Sequence, residues 1–254
     1  MAIDVERRGR VGVITINRPE ARNAVNDVVA QGMEAALDEL EADDDVWAVV
    51  ITGAGPTFCA GADLKIVAKG EGIKIATKRG GFAGVTTRLF PKPLIAAVNG
   101  PALAGGFEIV LTCDLVVAAG DAVFGLPEVK RGLFAAAGGP MRLAKRIPLA
   151  AAVELVVTGE PIDAQRAHTL GLVNHLCARD QVVDEAVALA TRITENGPLA
   201  VRKSLEMVRA AVDLTEAEAW QRSNEISLEV FATKDAIEGA TAFAEKRPPK
   251  WTGT

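Results

Sequence analysis

The sequence predicts an α/β fold carrying a helical C-terminal extension, and three observations predict it. Before Leu149, short β-type runs alternate with stretches of helical spacing. From Leu149 onward, apolar residues recur at three- and four-residue steps in one segment after another. No Gly-x-Gly-x-x-Gly stands between the first strand and the first helix, which disfavours a Rossmann arrangement. Strand, turn and helix repeat with a rough period, yet the units do not align residue by residue as solenoid repeats do.

Composition narrows the function classes. A chain of 254 residues with 49% hydrophobic content is long enough to enclose a sizeable core. The net charge of -5 comes with scattered Lys and Arg, and 3 Trp, 8 Phe and no Tyr offer little for stacking on bases, so nucleic acid is not an expected partner. No apolar run approaches the length of about eighteen residues that a membrane span needs. Asp4, Glu6, Arg7 and Arg8 stand where a secretory signal would need its apolar core, so a cytoplasmic protein without membrane association is expected. Cys59, Cys113 and Cys177 are odd in number, far apart and flanked by apolar or small residues, the pattern of reduced packing residues.

Ile3 to Glu6 and Val11 to Ile16 are β-type runs around Arg8-Gly9-Arg10, which predicts a hairpin. Val29, Met33, Ala36, Leu37 and Leu40 follow helical spacing, with Asn26 or Asp27 as the cap, and Asp43-Asp44-Asp45 ends the helix in a solvated loop. Trp47 to Thr52 reads as a buried strand, and Gly53 to Lys65 as a loop in which Asp63 caps the next helix. No Gly-Lys-Ser/Thr follows, so this loop is not a nucleotide P-loop. Gly70 to Gly84 is glycine-rich and weakly periodic, and a mobile flap over a pocket is expected there.

Pro93 to Leu115 is the centre of the chain. Leu94 to Val98 is an apolar strand, Asn99-Gly100-Pro101 ends it, and Ala104-Gly105-Gly106 opens a helix. Three residues with almost no side chain let a ligand approach the backbone, and N–H groups at a helix start point outward as donors. Glu108, in the first turn, reads either as a charge favoured by the helix dipole or as a catalytic carboxyl; its neighbours Phe107, Ile109, Val110 and Leu111 are apolar. Leu115 to Ala118 and Ala122 to Phe124 are further β-type runs, and Pro127 places Glu128 on an irregular segment, where solvated loop charge and acid or base are both open. Ala135 to Pro140 is a second small-residue turn leading into a helix at Met141 to Arg146. Beyond it Ala150 to Val157, Asp163 to Leu170, Val182 to Asn196, Pro198 to Val212, Thr215 to Phe231 and Thr233 to Lys246 read as helices.

Nucleophile chemistry is disfavoured. His168 and His175 lie in the helical half, as do Ser204, Ser223 and Ser227, and no Gly-x-Ser-x-Gly elbow exists. Two histidines without ligand spacing give no metal site either. Backbone donors and carboxyls remain. If the strands before Cys59 to Asp63 and before Ala104 to Gly106 are neighbours, N–H groups of both turns converge on one oxygen, with Glu108 and Glu128 sharing acid and base roles beside it.

At these residues the chain resembles the enoyl-CoA hydratase/isomerase, or crotonase, family over essentially its whole length. The resemblance is carried, in the family's order, by NRPEARNA (Asn17 to Ala24), TFCAGADLK (Thr57 to Lys65), KPLIAAVNGPALAGGFE (Lys92 to Glu108), FGLPEVKRGL (Phe124 to Leu133), AGGPMRL (Ala137 to Leu143) and FAEKRPP (Phe243 to Pro249). It implies a crotonase-like spiral of ββα units over residues 1–195, holding an acyl-CoA site, and a helical trimerisation region over 196–254. A homotrimer or a dimer of trimers is implied as well.

The implied reaction is reversible hydration of a trans-2-enoyl-CoA, an acyl-CoA thioester, to a 3-hydroxyacyl-CoA. It needs no metal or redox cofactor, coenzyme A being part of the substrate. The oxyanion donors match the N–H groups of Ala62 and Gly105, and the hydratase glutamates match Glu108, drawing a proton from water attacking C3, and Glu128, delivering one to C2. Ala62, Asp63, Leu64 and Lys65 match the family's acyl-CoA segment, with Arg22 and Lys65 near CoA phosphates; Lys246, beside Phe243, resembles a position reaching CoA from a neighbouring subunit. Two departures stand out: Leu126 where many hydratases have Gln, and Ala135-Ala136 where they have Pro-Gly. The Ala136 methyl group and its restricted φ bear on how the catalytic water is held. The alternatives are a Δ3,Δ2-enoyl-CoA isomerase, needing chiefly one base, and an acyl-CoA-binding protein with a silent site.

Overall fold

A computed structural model describes residues 2–254. The first hairpin forms as its turn chemistry dictates: β1 (Ile3–Arg8) pairs antiparallel with β2 (Val11–Ile16), and Gly9 takes the positive φ of 62° that the tight reversal needs. β1 buries only Ile3, whereas β2 is buried nearly throughout. Helix α1 (Asp27–Ala42) starts at Asn26, whose side chain accepts the Val29 N–H at 2.9 Å, and it buries Val29, Met33, Leu37 and Leu40 along one stripe. Strand β3 (Ala48–Gly53) is buried on both faces, as a parallel central strand must be.

Asp63 caps α2 (Leu64–Ala68) by accepting the Lys65 N–H. The following segment, weakly periodic in sequence, carries regular structure: a 3-10 turn (Gly72–Ile75) leads into a small hairpin of β4 (Ala76–Thr77) and β5 (Gly81–Phe82). Its partners lie on α1. Glu34 accepts from the Gly80 N–H and the Thr77 hydroxyl, while Asp38 and Glu41 pair with Arg79 and the buried Arg88. Those three acids share one face of α1 at helical spacing, a partnership that no local pattern within Gly70 to Gly84 reveals.

β6 (Leu94–Val98), β7 (Ala102–Leu103), α3 (Gly105–Thr112), β8 (Leu115–Ala119) and β9 (Val123–Gly125) follow. Pro127–Arg131 is a 3-10 turn, then come α4 (Gly139–Arg146) and α5 (Leu149–Thr158). The helical half contains two strands that its periodicity hid, β10 (Ile162–Asp163) before α6 (Ala164–Thr169), and β11 (His175–Cys177). At two and three residues they are too short to show a period, and pairing with distant strands creates them. α7 (Val182–Thr194), α8 (Pro198–Ala211), α9 (Glu216–Phe231) and α10 (Lys234–Glu245) complete the chain.

The main sheet runs β1-β2-β3-β6-β8-β11, parallel except for the first pair, and a three-stranded sheet runs β10-β9-β7. α7 packs on β3, β6 and β8, and α1 packs on the β1–β2 side. β6 with β7 before α3, and β8 with β9 before α4, each add one strand to either sheet, the spiral expected of ββα units. The core lies between the main sheet and these helices. Among the described residues no helix is long and apolar enough to cross a membrane.

Candidate active site

β3 and β6 are parallel neighbours, Val49 opposite Leu94 and Thr52 opposite Ala97, so the turns that leave them lie side by side. Asn99 stitches the first loop to the second, its Nδ2 donating to the carbonyls of Gly53 and Gly55 at 2.7 Å each. Further along, the Leu103 N–H donates to Cys59 O at 3.0 Å and Cys59 bridges Ala102. The approach is close enough to require glycine. A Cβ on Gly106 would stand 2.0 Å from Cys59 O, and one on Gly61, at φ +93°, would stand 3.0 Å from the Gly105 N. The sequence brings these two turns together only through strand adjacency, and the structure supplies it.

The N–H groups of Ala62 and Gly105 donate to no acceptor among the described residues. Gly105 begins α3, where helix geometry leaves the first N–H groups without intrahelical partners. Ahead of it Ala104 holds φ 52° and ψ -130°, a strained conformation for a residue with a Cβ, fixed by its N–H on Gly125 O at 2.9 Å. The Phe82 ring lies against Gly105, where a Cβ would meet it at 2.4 Å. Phe82 went unnoticed in the sequence because the glycines around it hide any pattern.

Glu108 is only 3% exposed, and its Oε1 accepts the Gly139 N–H at 2.9 Å. Burial pushes its pKa up, opposed by hydrogen bonds from the backbone of Gly139 and Ala137 and by the Arg142 guanidinium. Pro127 starts the 3-10 turn that presents Glu128, whose Oε2 is buried without a partner among the described residues. Burial raises its pKa too; its own N–H and Arg131 pull it down, while the Glu108 charge pushes it further up. The charge of Glu108 is therefore felt at Glu128. Both are more than solvated charges.

Ala135 is buried, Ala136 is exposed, and neither takes a positive φ. The left-handed position in this turn belongs to Gly138, at φ +102°, so the methyl group of Ala136 costs no backbone strain. Leu126 is buried against Gly139, beside Glu108.

The family model described as enoyl-CoA hydratase/isomerase matches residues 6–254. The chain belongs to that family. Among relatives of this enoyl-CoA hydratase/isomerase chain, the enoyl-CoA hydratase EchA19 of Mycobacterium tuberculosis is 40% identical over 97% of the chain and 95% of that protein. A carnitinyl-CoA dehydratase of Proteus mirabilis is 39% identical over 99% of the chain and 98% of that protein. In the solved structures, an enoyl-CoA hydratase from Mycobacterium tuberculosis H37Rv superposes with a TM-score of 0.96 at 49% identity, covering 100% of this chain and 99% of that one. The crotonase fold is thereby shared.

Other family positions distribute unevenly. Asp63 is engaged twice within the chain, capping α2 and lying 3.4 Å from the Arg18 guanidinium. Leu64 and Lys65 are exposed beside Ala62, and Arg22, with φ 53°, is exposed on the loop whose carbonyl receives the Ala60 N–H. Phe243 and Lys246 are exposed at the end of α10, which packs on α9 rather than on α2. Within one chain these two are not gathered with the rest. Among the described residues no group of three or more His, Cys, Asp or Glu is placed to hold a metal ion.

Proposed function

We propose that this protein hydrates trans-2-enoyl-CoA thioesters reversibly to 3-hydroxyacyl-CoA, and that Glu108 and Glu128 do the proton transfers. One observation carries the reading: a buried Glu108 and a half-buried Glu128, both with raised pKa values and the second raised in part by the charge of the first, occur in a chain whose Ala62 and Gly105 backbone N–H groups have no partner among the described residues. The thioester oxygen would accept from the Ala62 and Gly105 N–H groups, where negative charge develops as water adds. A donor of that kind is typically worth about 3 kcal/mol in the transition state. Glu108 takes one proton of the water as its oxygen bonds to C3, and Glu128 gives its proton to C2. The product has gained the elements of water, and the two carboxyls exchange protons with solvent before the next turnover. A relative bearing the name carnitinyl-CoA dehydratase fits the same chemistry run in reverse.

Exposed Lys65 and Arg22 are proposed to meet the CoA phosphates beside the Ala62 to Leu64 backbone, with no resident cofactor needed. We further propose a homotrimer or a dimer of trimers in the cytoplasm, built on residues 196–254, in which Phe243 and Lys246 complete a neighbour's CoA site. Leu228, Phe231 and Phe243 are exposed at 75%, 76% and 88%, more apolar surface than a solitary chain normally leaves uncovered. Sedimentation of the purified protein as a monomer would sink that assembly.

The enoyl-thioester absorbance, followed with a panel of trans-2-enoyl-CoAs and products weighed by mass spectrometry, tests the reaction. Loss of the band with gain of one water is expected. Double-bond migration without added water would make the protein an isomerase, and binding without turnover a silent acyl-CoA binder. Glu108→Gln and Glu128→Gln should each lower kcat by about two orders of magnitude or more with acyl-CoA binding kept. Near-normal turnover by either variant removes that carboxyl from the reaction.

A further inference from the structure

One side chain joins two walls of the site. Arg142, in the first turn of α4, donates through Nη1 to Ala137 O at 2.9 Å and through Nη2 to Thr86 O. Ala137 belongs to the turn that holds Glu108 through Gly139, and Thr86 follows the hairpin that lays Phe82 on Gly105. The place for the guanidinium is built. Gly138 takes φ +102°, and a Cβ there would stand 2.3 Å from Arg142 Nη1, so any other residue at 138 would push against it.

The cation is also in an unfavourable position for α4 itself. A positive charge in the first turn opposes the helix dipole, so helix stability alone does not call for arginine there. What the charge does face is Glu108. From α4 the charged group acting on Glu108 is Arg142, while Glu128, on the 3-10 turn, feels the Glu108 charge; α3 carries no other charge, and the 135–139 turn offers only backbone. Arg131 acts on Glu128.

We propose that Arg142 is a positioning residue for the hydration. It fastens the Ala137 to Gly139 turn to the Thr86 segment, which keeps the Gly139 N–H on Glu108 Oε1 and keeps Glu108 charged, ready to take a proton from water. The proposal rests on the hydratase reading, in which Glu108 is the base. It assigns Arg142 no contact with substrate.

Arg142→Met and Arg142→Lys in the full-length protein test it. The Met variant should lose roughly tenfold to a hundredfold in kcat, the scale of a misplaced catalytic group, with KM near the wild-type value. Its acid limb in kcat/KM against pH should move upward. Lysine should restore the limb, because it keeps the charge, but only part of kcat, because an ammonium group cannot span both carbonyls. Added to Glu108→Gln, Arg142→Met should cost little more, since residues that act as a unit are not additive. Fully additive losses, or an unmoved acid limb in a folded Met variant, overturn the proposal. An activity-free reading comes from carboxyl NMR titration of carbon-13-labelled glutamate, with the Glu108 signal identified by its loss in Glu108→Gln. The Glu108 midpoint should rise in Arg142→Met; an unchanged midpoint overturns the proposal. A wild-type protein that hydrates no enoyl-CoA while the midpoint still rises would sink the hydratase reading and leave the Arg142 to Glu108 coupling standing.

Discussion

Glu108 and Glu128 are the same functional group in two environments, and the difference sets their roles. Glu108 has three influences that hold a charge against burial, the Gly139 and Ala137 backbone and Arg142. Glu128 has the Glu108 charge against it and a buried oxygen with no donor, which favours its protonated form. If Glu108 must be charged and Glu128 protonated, kcat/KM for hydration is bell-shaped in pH. Activity is lost on the acid side as Glu108 takes up its proton, and on the alkaline side as Glu128 gives its proton up. The two limbs belong to the pair, and both stand above the ordinary glutamate value of 4.5. A flat profile through that region would remove the paired carboxyls from the chemistry. Stability has the opposite sign from the usual paired carboxylate. A folded pKa above the unfolded one means the folded state binds more protons, so wild-type stability falls as pH rises from 4.5 through the raised value. Glu108→Gln, which keeps an oxygen for the Gly139 N–H, should therefore unfold at a higher temperature than wild type at pH 7, with the gain gone near pH 4. Calorimetry at the two pH values checks the sign. Both glutamates were legible from sequence because small residues and proline flank them. Gly139 and Arg142 were not, since their partners lie at 108 and 86, beyond any local pattern.

Among the elements, the site depends on two turns held at backbone distance. The first hangs from β3 and the second from β6, and Gly106 and Gly61 are the points of contact. Gly106→Ala would drive a methyl group to 2.0 Å from the Cys59 carbonyl, backbone against which no rotamer gives way. The turns must then separate, at a cost of about 3 kcal/mol, and hydration should fall with the stability. Wild-type chemical denaturation and turnover in that variant would show that the turns do not need this approach. Composition alone marked both turns as small-residue loops, because Gly and Ala clusters are visible one residue at a time. The β4–β5 hairpin was not legible in the sequence for a physical reason: its contacts are with Glu34, Asp38 and Glu41 on α1, roughly forty residues away by the separations of these contacts.

For the molecule as a whole, the sheet must be held against α1 while the turns project from the ends of its central strands β3 and β6. Lys92 does part of this. Its side chain is 1% exposed, and Nζ donates to Leu40 O at 2.6 Å and Asp43 O at 2.7 Å, satisfying the carbonyl end of α1 immediately before β6 begins. Lys92→Met keeps the length and apolar stem but leaves two carbonyls without that donor, so a loss of about 2–3 kcal/mol is expected. Unchanged urea denaturation would place the anchoring of α1 elsewhere. Arg146 plays the matching part at the end of α3, donating to the carbonyls of Cys113 and Asp114.

The sequence by itself determined the local matters: the strands Leu94 to Val98 and Val11 to Ile16, the caps Asn26 and Asp63, the small-residue turns, the two glutamates and the family. Each is written in adjacent residues or in a short period, and short-range chemistry decides it. Only the tertiary structure decided that the two turns touch, that Gly139 holds Glu108, that Phe82 covers Gly105, and that β11 exists at all. Those facts rest on strand adjacency and on contacts across tens of residues, where the free energy lies in pairs of segments and in neither segment alone.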